Sequence, residues 1–536
     1  MHKYKFLRIK LVSIIKNVVF PSLILIIAAV IGVYFRPLMI IDETRYISVA
    51  WEMFDKHSFL VPLINGEPYH HKPPLLFWLM HLDWFIFGVN ELSVRFIPLL
   101  FSLGSVLLSY LIYKELWVDD KKGASLIGWV LAGTMMYAFY SSLLMFDVML
   151  GFWVLLGVLG IVRVVNYGKK GDYFLIVVAV WFGILAKGPV VVAHLLPMYL
   201  FLHFWAKEKA SKDIYIGGMV AVFAGIVLAL VWGIPAAIKG GEVYAHAIFW
   251  GQAAGRVAHS FAHSRPFWWY LPLIPLLTFP WFFYGNFWRS LMSRFSNGSV
   301  DLGIRFLLVW IVGTLVIFSL ISGKQVHYIV PEIPAFALLA TRLISTRSEG
   351  VFSVGFIGGI YFLVGVLFAV APYKIPQYLQ HYVDVKAFWI SAVMLVGVGL
   401  YFLLKRFISQ EKLVKQLAFS PLIVIFAVHF ILSGYLKDQD LTNFAQNISK
   451  LQKDGVVIVH DGKYNDQFHF LGRLHEDIKV VHSKKELQEY IKNHPDSVII
   501  TYRKRKEYYK KDNVIATTKF RTQNIIMIKA SDWDTL

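Results

Sequence analysis

Cysteine is absent from all 536 residues. That excludes disulfides, thiolate metal sites and a cysteine nucleophile. Charge is scarce as well: Asp, Glu, Lys and Arg make up 16% of the chain, against 57% hydrophobic residues. Soluble domains carry about 25% charged residues, so a string of soluble domains is excluded and a polytopic membrane protein is indicated. Acidic residues are the rarer sign, 34 against 53 Lys and Arg, for a net charge of +19. Such an excess invites a nucleic-acid reading, but no nucleic-acid-binding motif accompanies it. The basic residues fall mostly in short loops between apolar runs, a pattern that fixes orientation and meets anionic lipid. Membrane lipids, and no nucleic acid, are the partners that this charge predicts.

Long apolar runs recur at about 18–35, 95–113, 124–145, 148–166, 172–186, 189–204, 214–235, 267–284, 304–321, 327–341, 351–371, 387–404 and 418–434. Each suits a hydrocarbon core of about 30 Å, the shorter ones with help from their flanks. The expected fold is a polytopic α-helical membrane protein with about thirteen transmembrane helices. The run 73–88, "PPLLFWLMHLDWFIFG", is shorter and interrupted by His81 and Asp83, which predicts a re-entrant or interfacial helix. The N-terminus carries Lys3, Lys5, Arg8, Lys10 and Lys16 ahead of the first run, so it is expected in the cytoplasm. It lacks a cleavage pattern, so the first span is expected to be retained. Alternation then puts the basic loops "KELWVDDKKG", "RVVNYGKKGD", "WAKEKASKD", "TRLISTRSEG" and "KRFISQEKLVKQ" inside, and the C-terminal segment outside.

The expected organisation is a membrane domain over 1–434 and a soluble α/β domain over 435–536. "GVVIVHD", "DIKVVHS" and "SVIITYR" are short β-branched runs that read as strands. Between the last two, Ser483 and Glu486 form a capping-box pattern and Pro495 follows the helix end.

Residues able to carry chemistry gather where the alternation faces outward. Asp42, Glu43, Arg45, Tyr46 and Glu52 follow the first span in "DETRYISVAWEMF". His70, His71 and Lys72 stand in "YHHKPPLLFW", Asp147 in "FDVML", Lys187 in "AKGP", and Lys324, His327 and Tyr328 in "SGKQVHYIVPEIP". Carboxylates at a membrane boundary are costly unless solvated or paired, and are usually functional. All five segments are expected at one membrane level. His259 and His263 have i, i+4 spacing, which suits a metal on a helix, whereas the adjacent His70 and His71 point apart. Gln252 and Arg256 lie in the large outer loop, as candidate ligand-binding residues. Trp268, Trp269 and Tyr270 read as an interfacial aromatic belt.

In this order the five motifs resemble the bacterial branch of the protein O-mannosyltransferase superfamily, the group that includes the lipid A aminoarabinose transferases. The resemblance covers about residues 15–345, and the tail only in layout. It implies the GT-C fold, with a C-terminal soluble α/β domain. It also implies an integral membrane glycosyltransferase that moves a sugar from a polyprenyl-phosphate carrier to an acceptor at the outer face of the bacterial inner membrane. The acceptor stays open between lipid A, or a related glycolipid, and protein.

By the same resemblance Asp42 is the catalytic base. Asp147 is a second catalytic carboxylate that orients the acceptor or stabilises positive character on the sugar. Lys72, Lys187, Arg45 and Lys324 bind donor phosphate, and Glu43, Tyr46, Tyr328 and Arg256 contact substrate. Direct displacement of the phosphate inverts the anomeric centre and needs neither an enzymic nucleophile nor a cofactor. Some family members carry Glu directly before the Lys-Pro pair, where this chain has His71. The metal or acceptor role of that Glu therefore does not carry over, and a divalent metal stays an option only through His71, His259 and His263 as candidate ligands. A secondary transporter is the competing class, but transporters gather ionisable groups near the midplane, often within inverted repeats. Here the charges gather at span ends and no repeat is visible.

Overall fold

The structure is a computed structural model that describes residues 13–251, 264–346, 354–405, 409–504 and 513–535. Among these residues nine helices are long and apolar enough to cross a bilayer, or ten if the bent pair Val190–Leu200 and Leu202–Lys209 counts as one span. The nine are Ile15–Phe35, Glu91–Leu116, Phe146–Tyr167, Lys212–Gly251, Leu302–Leu320, Val326–Ser345, Gly355–Tyr373, Val385–Leu404 and Gln410–Lys453. They account for nine of the thirteen runs expected from hydropathy. On Lys212–Gly251 the side chains of Phe223, Val231 and Ile238 are exposed, as suits a helix whose solvent is lipid.

The other four runs take different forms, for local reasons. Run 172–186 is one helix, Lys170–Lys187, whose ends carry Lys170, Asp172 and Lys187. Run 189–204 bends by 53° after Leu200, close to Pro197 inside the helix. Run 124–145 breaks at Gly133 and Thr134 into Lys121–Ala132 and Met135–Tyr140. Run 267–284 becomes short turns, Phe267–Leu273, Ile274–Leu277 and Trp281–Phe283, because Pro272, Pro275 and Pro280 remove backbone donors. Irregular backbone is tolerated in a membrane chain where protein buries it. Here the Met135 amide donates to the Phe279 carbonyl at 2.9 Å, and Trp281 is fully buried. Of the expected aromatic belt, Trp268 is exposed and Tyr270 is buried.

The chain forms two compact units. The first comprises Met1–Val33, Arg95–Ala237 and Ala245–Ile431. Its interior is mostly apolar and carries a polar clamp. Asp120 accepts hydrogen bonds from Tyr113 and Ser345, both at 2.7 Å, and from Arg342 at 2.9 Å. Arg342 also reaches Asp301 at 3.0 Å and lies over the Trp117 ring at 5.0 Å.

The second unit comprises Tyr34–Val94, Ile238–Tyr244 and Leu432–Leu536. Its tail carries five strands: β3 (Ile458–Asp461), β4 (Lys479–Val481), β5 (Val498–Lys504), β6 (Val514–Phe520) and β7 (Gln523–Lys529). The strand order is β4-β3-β5-β7-β6. β3 runs parallel to β4 and β5, whereas β7 is antiparallel to β5 and β6. Alternation separates the two faces. Ile458, Ile500 and Met527 pack with Phe444, Ile448 and Phe468, while Val459, Ile499 and Ile528 pack with Leu487. The helix Lys484–Asn493 begins at Ser483, whose hydroxyl accepts from the Glu486 amide at 3.2 Å. The Glu486 carboxylate returns to the His482 amide, one residue earlier than a reciprocal capping box requires.

The tail does not fold on itself alone. The helix Asp42–Asp55, the hairpin of β1 (Leu63–Ile64) with β2 (Glu67–Pro68), and the helix Leu75–Phe87 pack with it in the same unit. Trp51 Nε1 donates to the Leu474 carbonyl at 2.9 Å, and the Phe470 amide donates to Ser48 Oγ at 3.0 Å. The Asn65 side chain both donates to and accepts from Ile478, at 2.9 and 2.8 Å. The run expected to be re-entrant or interfacial is thus a 13-residue helix in this unit.

Candidate active site

The expected site residues fall in both units, and each set has its own geometry. In the second unit, Asp42 is the first residue of the helix Asp42–Asp55. A carboxylate there is favoured by the helix dipole. Its Oδ1 accepts from Arg45 Nη2 at 2.9 Å, one turn along, and the Asp42 side chain is 40% exposed. It is therefore held, yet open on one side. Ile41, just before it, has φ 78° and ψ −56°. A β-branched residue occupies that region only under strain, at a cost of about 1–3 kcal/mol, and such strain clusters at functional sites.

Buried contacts hold that turn. Glu43 is fully buried; it binds Arg36 through both carboxylate oxygens and accepts from the Met39 amide at 2.7 Å. Glu43 thus braces the turn before Asp42, a different task from the substrate contact expected of it. Tyr46 is buried too, its ring 5.3 Å from the Arg45 guanidinium carbon.

Lys72 is half-buried in the bend ahead of the helix Leu75–Phe87. That helix docks on Asp42–Asp55: His81 Nε2 lies 2.8 Å from the Ala50 carbonyl oxygen, and the Trp84 and Phe54 rings meet edge-on at 5.8 Å. Asp42 and Lys72 therefore belong to one packed assembly. His71 is exposed, and it joins no group of three metal-ligating side chains among the described residues. Arg256, His259 and His263, with Gln252, lie outside the described residues.

In the first unit the structure joins three motifs far apart in sequence. Asp147 sits in the first turn of Phe146–Tyr167, and Lys187 is the last residue of Lys170–Lys187. Each charge has the sign that its helix end favours. They form an ion pair with side chains only 2% and 9% exposed, and Lys187 Nζ lies 5.0 Å from the centre of the Tyr328 ring. Gly188 follows with φ 82° and ψ −165°, a conformation essentially restricted to glycine, and Pro189 begins the next turn. "AKGP" is thus the sequence of a helix that must stop while presenting its lysine.

Lys324 is buried, and its Nζ donates to the carbonyls of Arg265 at 3.0 Å and Ile321 at 2.5 Å. Two of its three donors are spent on the backbone. A further buried pair, His194 Nδ1 and Glu332 Oε1 at 2.6 Å, was not anticipated from sequence. Both are ionisable residues inside apolar runs, which marks them for attention. Arg36, the one charge between the first span and Asp42, carries the same signal.

Removing one member of a buried ion pair strands the other, at a cost of about 3–5 kcal/mol, whereas removing both is often nearly neutral. Lys187→Met is therefore expected to lower the thermal midpoint of purified protein sharply. Adding Asp147→Leu should restore most of it. A double variant as unstable as the single would contradict the pairing.

The chain can now be compared with known proteins. The family described as dolichyl-phosphate-mannose-protein mannosyltransferase matches residues 71–232, a stretch that contains Lys72, Asp147 and Lys187. The undecaprenyl phosphate-alpha-4-amino-4-deoxy-L-arabinose arabinosyl transferase of Enterobacter sp. (strain 638) is 28% identical over 423 residues, covering 76% of this chain and 73% of the relative. The transferase of the same name from Aeromonas hydrophila is 26% identical over 478 residues, covering 86% and 85%. Among solved structures, ArnT from Cupriavidus metallidurans bound to undecaprenyl phosphate superposes with a TM-score of 0.73 at 16% identity, covering 95% of this chain and 97% of that one. The same protein in the apo state gives a TM-score of 0.72. That likeness establishes the fold, and the sequence similarity extends over most of both chains. The chain is an aminoarabinose-transferase-like membrane glycosyltransferase with the GT-C fold.

Proposed function

We propose that this protein transfers a sugar from a polyprenyl-phosphate carrier to lipid A, or a related envelope glycolipid, at the periplasmic face of the bacterial inner membrane. The observation that carries this reading is the Asp42–Arg45 pair beside a strained turn, packed in one unit with the Lys72 motif. The curated relatives are named for an undecaprenyl-phosphate-linked aminoarabinose donor, which supports that donor class.

The chemistry is a single displacement. Asp42 accepts the proton of the acceptor hydroxyl as its oxygen bonds to the anomeric carbon. The bond from that carbon to the phosphate oxygen breaks, and the anomeric centre inverts. The departing phosphate needs positive charge where its own charge develops. Lys72, Arg45, Lys187 and Lys324 are the residues proposed to supply it. Asp147 keeps Lys187 in place and orients the acceptor. Tyr46 and Tyr328 line the substrate. Glu43 acts through the turn that it braces.

A second reading makes protein Ser or Thr the acceptor, and the description of the matching family favours it. Mass spectrometry of envelope glycolipids and glycoproteins, with and without the gene, separates the two. Orientation is part of the same proposal: the N-terminus is cytoplasmic and the tail periplasmic. A reporter fused after Tyr435 is expected to behave as exported, and cytoplasmic activity there would contradict the topology.

A further inference from the structure

Three side chains from distant parts of the second unit meet in its interior. Glu52 comes from the helix that begins at Asp42, Asp466 from the loop after β3, and His469 from the start of the short helix His469–Gly472. All three are buried, and one ligand atom from each can be chosen so that all lie within 4.8 Å of one another. His469 Nε2 lies 3.9 Å from Glu52 Oε1, and His469 Nδ1 contacts Asp466 Oδ1 and lies 2.9 Å from the Tyr464 hydroxyl.

The surroundings fix these groups without completing them. Asn65 and Gly66 form the tip of the β1–β2 hairpin, with φ 50° and 81°. Asn-Gly is the sequence that favours such a turn, because both residues take positive φ. The two tip amides donate to Glu52, Asn65 to Oε1 at 2.5 Å and Gly66 to Oε2 at 2.9 Å. Gly66 also has no room for a side chain: a Cβ there would lie 2.3 Å from Asp477 Oδ2. Lys56 Nζ stands 3.9 Å from Glu52 Oε2 and is engaged with Asp477 at 2.5 Å. Asp466 itself has φ 60°, which short polar residues tolerate better than most.

What remains unanswered is telling. Asp466 Oδ1 is in contact with His469 Nδ1 and its carboxylate neighbours that of Glu52, while Asp466 Oδ2 and His469 Nε2 are buried and make no hydrogen bond of good geometry. Buried acceptors without partners are costly, and native proteins rarely keep them. One cation can take one ligand atom from each of Glu52, Asp466 and His469. Two carboxylates and a neutral imidazole supply two negative charges and a nitrogen donor, a set that suits zinc and similar divalent ions.

We infer that Glu52, Asp466 and His469 hold a divalent transition-metal ion of the zinc class, which ties the helix carrying Asp42 to the periplasmic α/β tail. This site is separate from His71, His259 and His263. Without a cation, burial and the neighbouring Asp466 push Glu52 up to about 8, and burial raises Asp466 well above the usual carboxylate range. Burial also lowers His469. It is a structural staple, since it touches neither Asp42 nor Lys72.

The test uses the full-length protein, stripped with a chelator and reloaded with zinc. Bound zinc is read by elemental mass spectrometry, and the thermal midpoint is followed with and without the ion. Wild type is expected to show a zinc-dependent rise in midpoint, which needs no variant to fold. Asp466→Asn and His469→Gln should each bind one zinc fewer per chain than wild type and lose the rise. His71→Ala should keep both. Equal zinc in wild type and Asp466→Asn, or a stripped wild type that melts at the same temperature with and without zinc, would overturn the assignment.

Discussion

Asp42→Asn is expected to abolish transfer while donor binding survives. The amide keeps the shape of the carboxylate and its place at the helix start, but it cannot take the acceptor's proton. Loss of a positioned general base costs about 10²–10⁴ in rate. The carrier's phosphate lies at the membrane surface while its tail stays in lipid, so the base must wait at that depth. That is why a carboxylate follows the first span at once. The structure explains how it is kept there: Arg45 holds it from one turn along, and the Arg36–Glu43 pair locks the preceding turn. Binding and turnover must be scored separately, with purified protein in nanodiscs, a polyprenyl-phosphate sugar and an acceptor. Full turnover by Asp42→Asn would remove the base assignment and make Asp147 the better candidate.

Lys72→Ala is expected to lower turnover by about 10²–10³, the scale for losing one group that stabilises developing charge in a desolvated site. Expression and thermal stability should change little, because Lys72 lies in a loop bend and is only half-buried. That separates it from Lys187, whose loss strands Asp147. Lys72→Arg should rescue only in part, since a planar guanidinium is not a point charge. Near-normal turnover in Lys72→Ala would take this residue out of the phosphate site.

Much of this was legible before any coordinates. β-branched runs marked three strands of the tail, β3, β4 and β5, and the Ser483 cap marked the helix before β5. The hairpin of β6 and β7 went unread because its turn has Arg521 at φ 54° where Asn or Gly is the usual cue. Hydropathy weighs composition and does not register breaks. The prolines of 267–284 and the Gly133-Thr134 interruption divide runs that are apolar throughout.

The motifs proposed for the site were legible in the sequence, and the pairings among their side chains were not. Asp147 and Lys187 are 40 residues apart, and Ser48 meets Phe470 across 422. Contacts of that kind leave no periodic trace in a single sequence. Glu52 drew notice as one more acid on the first outer helix, but its partners Asp466 and His469 lie in a tail that offered no constellation of its own. Glu43 shows the opposite effect. Its position in the motif suggested substrate, and burial with an ion pair to Arg36 adds a scaffold role that the sequence did not show.

The central claim is that the acceptor is lipid A or a related envelope glycolipid. The most direct measurement is mass spectrometry of extracted lipid A from cells with the gene, without it, and complemented with Asp42→Asn. The account predicts a glycosyl mass on lipid A that disappears with the gene and returns with wild type, but not with the variant. Unchanged lipid A, with a glycosyl mass lost only from proteins, would contradict it.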